Sequence, residues 1–356
     1  MKRVFSIVLA FTLMILLGIS PVTAANEVFV KGINEEELFA VLDIYESYKK
    51  SLGLSDIDFS TLRIGEMIHT YEYLDEEFQE LEGFYPLFSD NTLFALVLPL
   101  DAGGFQIMTA LAKEISAANA TNISLIYDAN GCYLYDGEEF QLIASDFAPN
   151  DSRSILSTDA FNGTNRPVLT NLGETESLEY TPHMQNRNSD RIYCNVDVVN
   201  QEYSNICWAA NIACINNYVN RTHFTAREVA ERRFDSSDPS VFNHTLDTIG
   251  AAQTMNLRYG LEYGIANGVL CANTMVTNLS NGYPIYGVFN IDPNNVNSNT
   301  HAATICGIEL FELYFWVMDP MYGIIGSKYS IDGTLKYVSP YSHNTLYLVN
   351  SVSRYK

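Results

Sequence analysis

Residues 201–219 read QEYSNICWAANIACINNYV, a polar lead-in followed by an apolar run. The spacing of the apolar residues predicts a helix that begins near Cys207, with Asn205 as its expected cap. A free thiol has a pKa of about 8.5, and the positive end of a helix lowers it. Cys207 is therefore either a nucleophile at the start of a helix or, as is commoner for an isolated cysteine, a small buried hydrophobe.

Gln201, six residues before Cys207, favours the nucleophile. The side-chain amide of Gln201 stands just before the helix, where it can donate to an oxyanion, and the Cys207 backbone N–H can act as a second donor. Cys214 lies one heptad further along, between Ala213 and Ile215, and is predicted to be a structural thiol.

A nucleophilic thiol needs a base, and His301 is the best placed of the six histidines. It begins HAATICGIEL directly after a polar loop, so we expect it at the end of a buried strand. Asp319 closes FWVMD just before Pro320, where its carboxylate can orient an imidazole. Considered alone, His301 could equally be a hydrogen-bonded histidine at the end of a strand. Asp319, considered alone, could simply begin a turn with Pro320. In their order along the chain, Gln201, Cys207, His301 and Asp319 predict one catalytic site.

On these residues the chain resembles the papain-like cysteine peptidases over roughly residues 192–350. The resemblance rests on Gln201 six residues before Cys207, on the Cys207-Trp208 pair and on HAATICGIE. It implies a papain-like catalytic domain in which N-terminal helices pack on an antiparallel sheet. An aspartate as third residue and a short gap from Cys207 to His301 are more similar to bacterial branches, such as bacteriocin-processing and staphopain- or streptopain-type peptidases.

The sequence of the first half of the chain predicts an acidic domain over residues 26–145, separate from the catalytic domain. A helix is expected over 34–52 and another over 105–118, with strand-like runs between them and hairpins at Asn130-Gly131 and Asp136-Gly137. Residues 26–180 hold 28 acidic and 7 basic side chains, against 14 and 11 in residues 181–356. Such a charge excludes nucleic acid as a partner, because phosphate binding needs a basic face.

Residues 146–192 are rich in Ser, Asn, Thr, Asp and Pro and predict an exposed connector of the kind that proteases cut. In residues 193–356, helices are expected near 225–234, 243–255 and 274–280, followed by strands at 284–291, 301–310 and 313–319. The predicted fold class is therefore α+β: a small α+β pro- or accessory domain followed by the catalytic domain.

Residues 1–25 predict a secretory signal peptide, with Lys2 and Arg3 before an apolar run and small residues at Ala24-Ala25. An uncleaved N-terminal anchor is the alternative. No later segment is apolar enough to span a bilayer, so no stable membrane insertion is expected after cleavage. The six cysteines lack CxxC and zinc-finger spacing, and we expect neither a metal nor a cofactor.

The site residues, the signal peptide and the resemblance together predict a secreted cysteine endopeptidase, and the resemblance implies that it is made as a zymogen. Its partners are a protein or peptide substrate and an intramolecular N-terminal pro-domain, unless that domain is a retained accessory domain. Two other functions stay open. One is a cell-wall amidase or acyl transferase that uses the same Cys207 and His301 pair. The other is a non-catalytic surface binding protein on a peptidase scaffold.

Overall fold

The computed structural model describes residues 29–30, 33–47, 49, 54–75, 77–100, 105–128, 131–144, 166–180, 191–203, 205–266, 269–295, 300–309, 314–328 and 335–354. The predicted signal peptide lies outside these residues. So do residues 146–165 and 181–190 of the predicted connector.

The N-terminal half contains two α-helices and twelve strands within the described residues. The helices are α1 Glu35–Ser47 and α2 Thr109–Ala118. The strands are β1 Phe29–Val30, β2 Ile33–Asn34, β3 Leu62–Gly65, β4 Ile68–Leu74, β5 Glu77–Ser89, β6 Thr92–Pro99, β7 Phe105–Met108, β8 Asn122–Asp128, β9 Gly131–Tyr135, β10 Phe140–Ala144, β11 Thr170–Asn171 and β12 Thr175–Ser177. Strands β3 to β12 form one sheet in the order β10-β9-β8-β4-β5-β3-β12, with β11 beside β8 and β6 between β5 and β7.

The second predicted helix of this half begins later than expected. Residues 105–108 form β7, which pairs antiparallel with β6, and the helix starts at Thr109. Phe105, Ile107 and Met108 are almost completely buried. Sheet pairing and burial therefore override the helical pattern here. Around both predicted hairpins, β8 pairs with β9 and β9 with β10 in antiparallel register.

Residues 166–180 also differ from the exposed connector that the composition predicts. Strand β11 pairs with β8 and strand β12 with β3. Leu178 and Tyr180 are buried, and the Tyr180 hydroxyl donates to Asp43 Oδ1 at 2.7 Å. Short edge strands of this kind are held by backbone bonds, so their side chains carry little hydrophobic periodicity for the sequence to reveal.

The C-terminal half places its main helices before most of its strands, as predicted for an α+β domain. The helices are α3 Cys207–Asn220, α4 Ala226–Phe234, α5 Thr248–Tyr259 and α6 Ala272–Ser280. The strands are β13 Arg191–Tyr193, β14 Tyr263–Ile265, β15 Ile285–Asn290, β16 His301–Glu309, β17 Tyr314–Asp319, β18 Gly323–Lys328, β19 Lys336–Val338 and β20 Thr345–Arg354. They form an antiparallel sheet in the order β14-β20-β15-β16-β17-β18, with β13 beside β16 and β19 beside β20.

This second sheet takes part in two hydrophobic clusters. One cluster joins helices α3, α4 and α5 to sheet residues such as Val288 and Ala302. The other joins residues of the N-terminal half to Cys306 and Trp316. The rings of Tyr45 and Trp316 meet edge to face at 5.2 Å. The two halves of the chain therefore share a hydrophobic core.

Within the part of the chain that the structure describes, no helix combines the length and apolarity needed to cross a bilayer.

Candidate active site

Cys207 is the first residue of α3. The cap position is taken by Ile206, so the prediction that Asn205 caps the helix is wrong by one residue. Among the described residues, no side chain hydrogen-bonds to this end of the helix as a cap. The half-buried thiol of Cys207 thus lies at the positive end of the α3 dipole, where a thiolate is stabilised.

His301 begins β16 and Asp319 ends β17, and the antiparallel pairing of these strands brings the two residues together. His301 Nε2 lies 2.8 Å from Asp319 Oδ2. The Cys207 side chain also hydrogen-bonds to the imidazole. Three residues that are distant in sequence therefore form a row of thiol, imidazole and carboxylate.

The electrostatics of this row favour a charged imidazole. Burial alone would lower the pKa of His301, but the Asp319 carboxylate and the Cys207 sulfur together raise it well above its usual value. Asp319 is fully buried, and 16% of the His301 side chain is exposed. A protonated His301 beside Cys207 is the arrangement that stabilises a thiolate at neutral pH.

Three donors hold the carboxylate of Asp319. The Met321 backbone N–H donates to Oδ1 at 2.8 Å, while Oδ2 accepts from the Tyr337 hydroxyl at 2.5 Å and pairs with His301. Hydrogen bonds to a charged acceptor are short and strong, so the plane of this carboxylate is fixed. Sequence reasoning missed Tyr337, because nothing around it in the sequence relates it to Asp319.

Asn211 connects the helix of the thiol to the strand of the imidazole. Its Nδ2 donates to the carbonyl oxygens of Cys207 at 2.8 Å and of Ala302 at 2.6 Å. Its Oδ1 accepts from the Thr304 hydroxyl at 2.6 Å. Asn211 and Thr304 are completely buried. Sequence reasoning missed this residue too, although an amide between the apolar residues of a helical run is a signal that could have identified it.

Gln201 lies beside the turn that follows Asp319. Its backbone N–H donates to the carbonyl oxygen of Pro320 at 3.0 Å. Between Gln201 and α3, the Ile206 N–H donates to Tyr203 O at 3.3 Å, and the Tyr203 ring stacks on Phe242 at 4.4 Å. The segment that leads into the Cys207 helix is therefore held at both of its ends.

The other thiols differ from Cys207 in burial and surroundings. All six cysteines lie within the described residues, and none forms a disulfide there. Cys214 is completely buried beside Thr304, and burial raises its pKa, in line with the predicted structural role. Burial likewise raises the pKa of Cys194 to about 12. Cys271 is exposed, and hydrogen bonds from Thr274 hold its pKa below the usual value.

The described residues contain no group of three or more His, Cys, Asp or Glu side chains that could hold a metal ion.

Comparison with protein families finds a match in the C-terminal half. Residues 187–332 match the family model described as papain-like cysteine protease AvrRpt2. No curated protein matches the chain. The matched segment includes Gln201, Cys207, His301 and Asp319, and it ends before Tyr337. The predicted resemblance is thereby confirmed, while the bacterial branch stays a prediction.

Proposed function

We propose that the chain is a secreted papain-like cysteine endopeptidase that cuts proteins or peptides through Cys207, His301 and Asp319. The match of residues 187–332 to a papain-like cysteine protease family supports the peptidase activity. The observation that carries this proposal is the row formed by the Cys207 thiol, the His301 imidazole and the Asp319 carboxylate at the start of α3. Helix dipole, imidazolium and buried carboxylate all favour the reactive form of a thiol nucleophile.

In the first half of the reaction, the Cys207 thiolate attacks the carbonyl carbon of the scissile peptide bond. The resulting tetrahedral intermediate breaks its C–N bond, and His301 gives its proton to the leaving amine. The acyl half of the substrate is then bound to Cys207 as a thioester. Asp319 keeps the His301 ring aligned for this transfer through the 2.8 Å bond to Nε2.

In the second half, His301 takes a proton from water as the water attacks the thioester carbonyl. The C–S bond breaks, the new carboxyl group leaves and the thiolate is restored. Both halves pass through an oxyanion. We propose that the Gln201 side chain and the Cys207 backbone N–H stabilise it, which the position of Gln201 in the segment before α3 supports.

We also propose that residues 1–25 direct secretion and that the enzyme is made as a zymogen that is activated by a cut in the chain before the catalytic domain. The pro-region, residues 26 to about 190, need not dissociate after this cut. Cleavage would fall in residues 145–165 or 181–190. Strands β11 and β12 lie between these segments and are paired with the N-terminal sheet, and proteases need backbone that is free to enter their cleft.

Replacing Cys207 with Ala tests the proposal. The purified secreted protein should degrade casein, and Cys207→Ala should not, while Cys271→Ser, which changes the exposed thiol, should retain full activity. N-terminal sequencing of both forms shows whether cleavage depends on Cys207. Release of stem peptides from peptidoglycan without casein degradation would instead support the amidase or acyl transferase function.

A further inference from the structure

We propose that Tyr337 is a positioning residue for Asp319, that Gln106 of the N-terminal domain holds Tyr337 in place, and that this domain therefore remains part of the working enzyme. The inference rests on the proposed function, because it requires Asp319 to orient His301. It does not require any particular substrate.

The side chain of Tyr337 is enclosed by the core of the C-terminal half. The side chain is 1% exposed, and its ring lies edge to face against Phe289 at 5.0 Å. Backbone pairing with Leu346 of β20 sets its register. The hydroxyl donates to the same Asp319 oxygen that pairs with His301. Tyr337 therefore limits rotation of the Asp319 carboxylate. It acts on His301 through this carboxylate.

Gln106 fixes the residue next to Tyr337. Its Nε2 donates to the carbonyl oxygen of Val338 at 2.5 Å, and the Val338 N–H donates to its Oε1 at 2.9 Å. The side-chain amide thereby pairs with Val338 as a peptide group of a neighbouring strand would. Gln106 is completely buried in β7. A buried amide with both of its hydrogen-bonding groups engaged has a strong preference for one geometry.

Further bonds from the N-terminal domain hold the residues after Val338. The Tyr127 hydroxyl donates to the Pro340 carbonyl oxygen at 2.9 Å. His343 Nε2 lies 3.1 Å from the Glu82 carbonyl oxygen. With the bonds from Gln106, this domain contacts the segment 338–343 at three places. The N-terminal domain therefore holds the residues that directly follow Tyr337 in the chain.

The position of the N-terminal domain indicates what happens after cleavage. This domain shares a hydrophobic core with the C-terminal sheet, and the Tyr314 hydroxyl donates to the Phe105 carbonyl oxygen across the junction. Cys207 and His301 keep partial exposure with the domain in place. Cutting the chain in residues 181–190 would leave these contacts intact. We therefore expect the two pieces to stay associated and active.

The test compares Tyr337→Phe and Gln106→Leu with a matched control, Tyr263→Phe. Tyr263 is also a buried tyrosine, and its hydroxyl donates to the Pro284 carbonyl oxygen at 2.7 Å, away from Asp319. Casein hydrolysis is measured per active site, titrated with a thiol-directed epoxide in a Cys271→Ser background. This normalisation removes any effect of a smaller folded fraction.

We expect Tyr337→Phe and Gln106→Leu each to lower kcat roughly 10-fold to 100-fold with KM unchanged, because a misplaced catalytic group costs that much. The double variant should lose little more than either single one, since Gln106 acts through Tyr337. Tyr263→Phe should keep the kcat of the unchanged chain. Unchanged kcat in Tyr337→Phe would overturn the inference while leaving the peptidase assignment intact. An unchanged chain that does not cut casein would contradict the proposed function instead.

A specific protease site placed in residues 181–190 tests the second half of the inference. After cutting, the pieces should coelute in gel filtration and keep their activity. Full activity in a C-terminal piece that elutes alone would contradict the proposal that the N-terminal domain is needed.

Discussion

The side-chain nitrogen of Asn211 lies 2.6 Å from the carbonyl oxygen of Ala302, the residue directly after His301. The same nitrogen also binds the carbonyl oxygen of Cys207. One buried amide therefore sets the distance between the helix of the nucleophile and the strand of the base. This relationship places catalytic geometry under the control of a residue that does not touch the substrate.

Asn211→Ala should lower both stability and Cys207 reactivity. It removes all three bonds of the amide and leaves the buried Ala302 carbonyl and Thr304 hydroxyl without this partner, at a cost of about 2–4 kcal/mol in the free energy of unfolding. Urea unfolding and the rate of Cys207 alkylation measure the two effects. Asn278→Ala is the control, because Asn278 is buried in α6 and its Nδ2 donates to the carbonyl oxygen of Thr274 in the same helix. Equal alkylation rates in the two variants would contradict this role for Asn211.

The pH dependence of kcat/KM should reflect the raised pKa of His301. A protonated His301 is needed beside the thiolate, so activity should persist well above pH 6.5 and fall only as pH rises through the raised pKa. Asp319→Asn removes the charge that raises this pKa and should move the alkaline limb to lower pH. If the alkaline limb of the kcat/KM profile does not move in Asp319→Asn, the ion pair between His301 and Asp319 does not control that limb.

Gln201→Ala should reduce kcat by about 10²–10³-fold with little effect on KM, as expected for loss of one oxyanion donor. The measurement is steady-state hydrolysis of a peptide substrate. Gln253→Ala is the control, because Gln253 is an exposed glutamine on α5. An increase in KM with kcat unchanged would show that Gln201 binds substrate and does not stabilise the oxyanion.

His343 should make the contact between the two halves sensitive to acid. Burial lowers its pKa below the usual value, and its ring lies against Phe84 and Tyr127. A histidine whose pKa is lower in the folded state than in the unfolded state contributes its full stability to the fold above about pH 6.5. This contribution is lost as the pH falls below about 6.5 toward the pKa of the folded state. The melting temperature of His343→Gln should therefore change less than that of the unchanged chain between pH 7 and pH 5. The exposed residue His223 provides the control variant His223→Gln, which should behave like the unchanged chain.

Local signals made part of this site predictable. Cys207 begins an apolar helix, and His301 and Asp319 stand at opposite ends of strand-like runs, so their residue types and positions could be read from short windows. Tyr337 and Gln106 could not, because their roles depend on partners that lie far away in sequence or in the other half of the chain. The prediction of a helix at residues 105–108 was wrong for the same reason. The apolar pattern of these residues fits a helix as well as a strand, and it is pairing with β6 that makes them a strand.

The bond between Gln106 and Val338 also has a consequence for the order in which the protein forms. These residues are 232 positions apart, and synthesis begins at the N-terminus. The acidic half can fold first and present a preformed apolar face, with Gln106 in it, as a template for the later sheet. Contacts between such distant residues form slowly. Because we propose that Tyr337 positions Asp319, we expect the thiol to acquire its full reactivity only after β19 and β20 have paired.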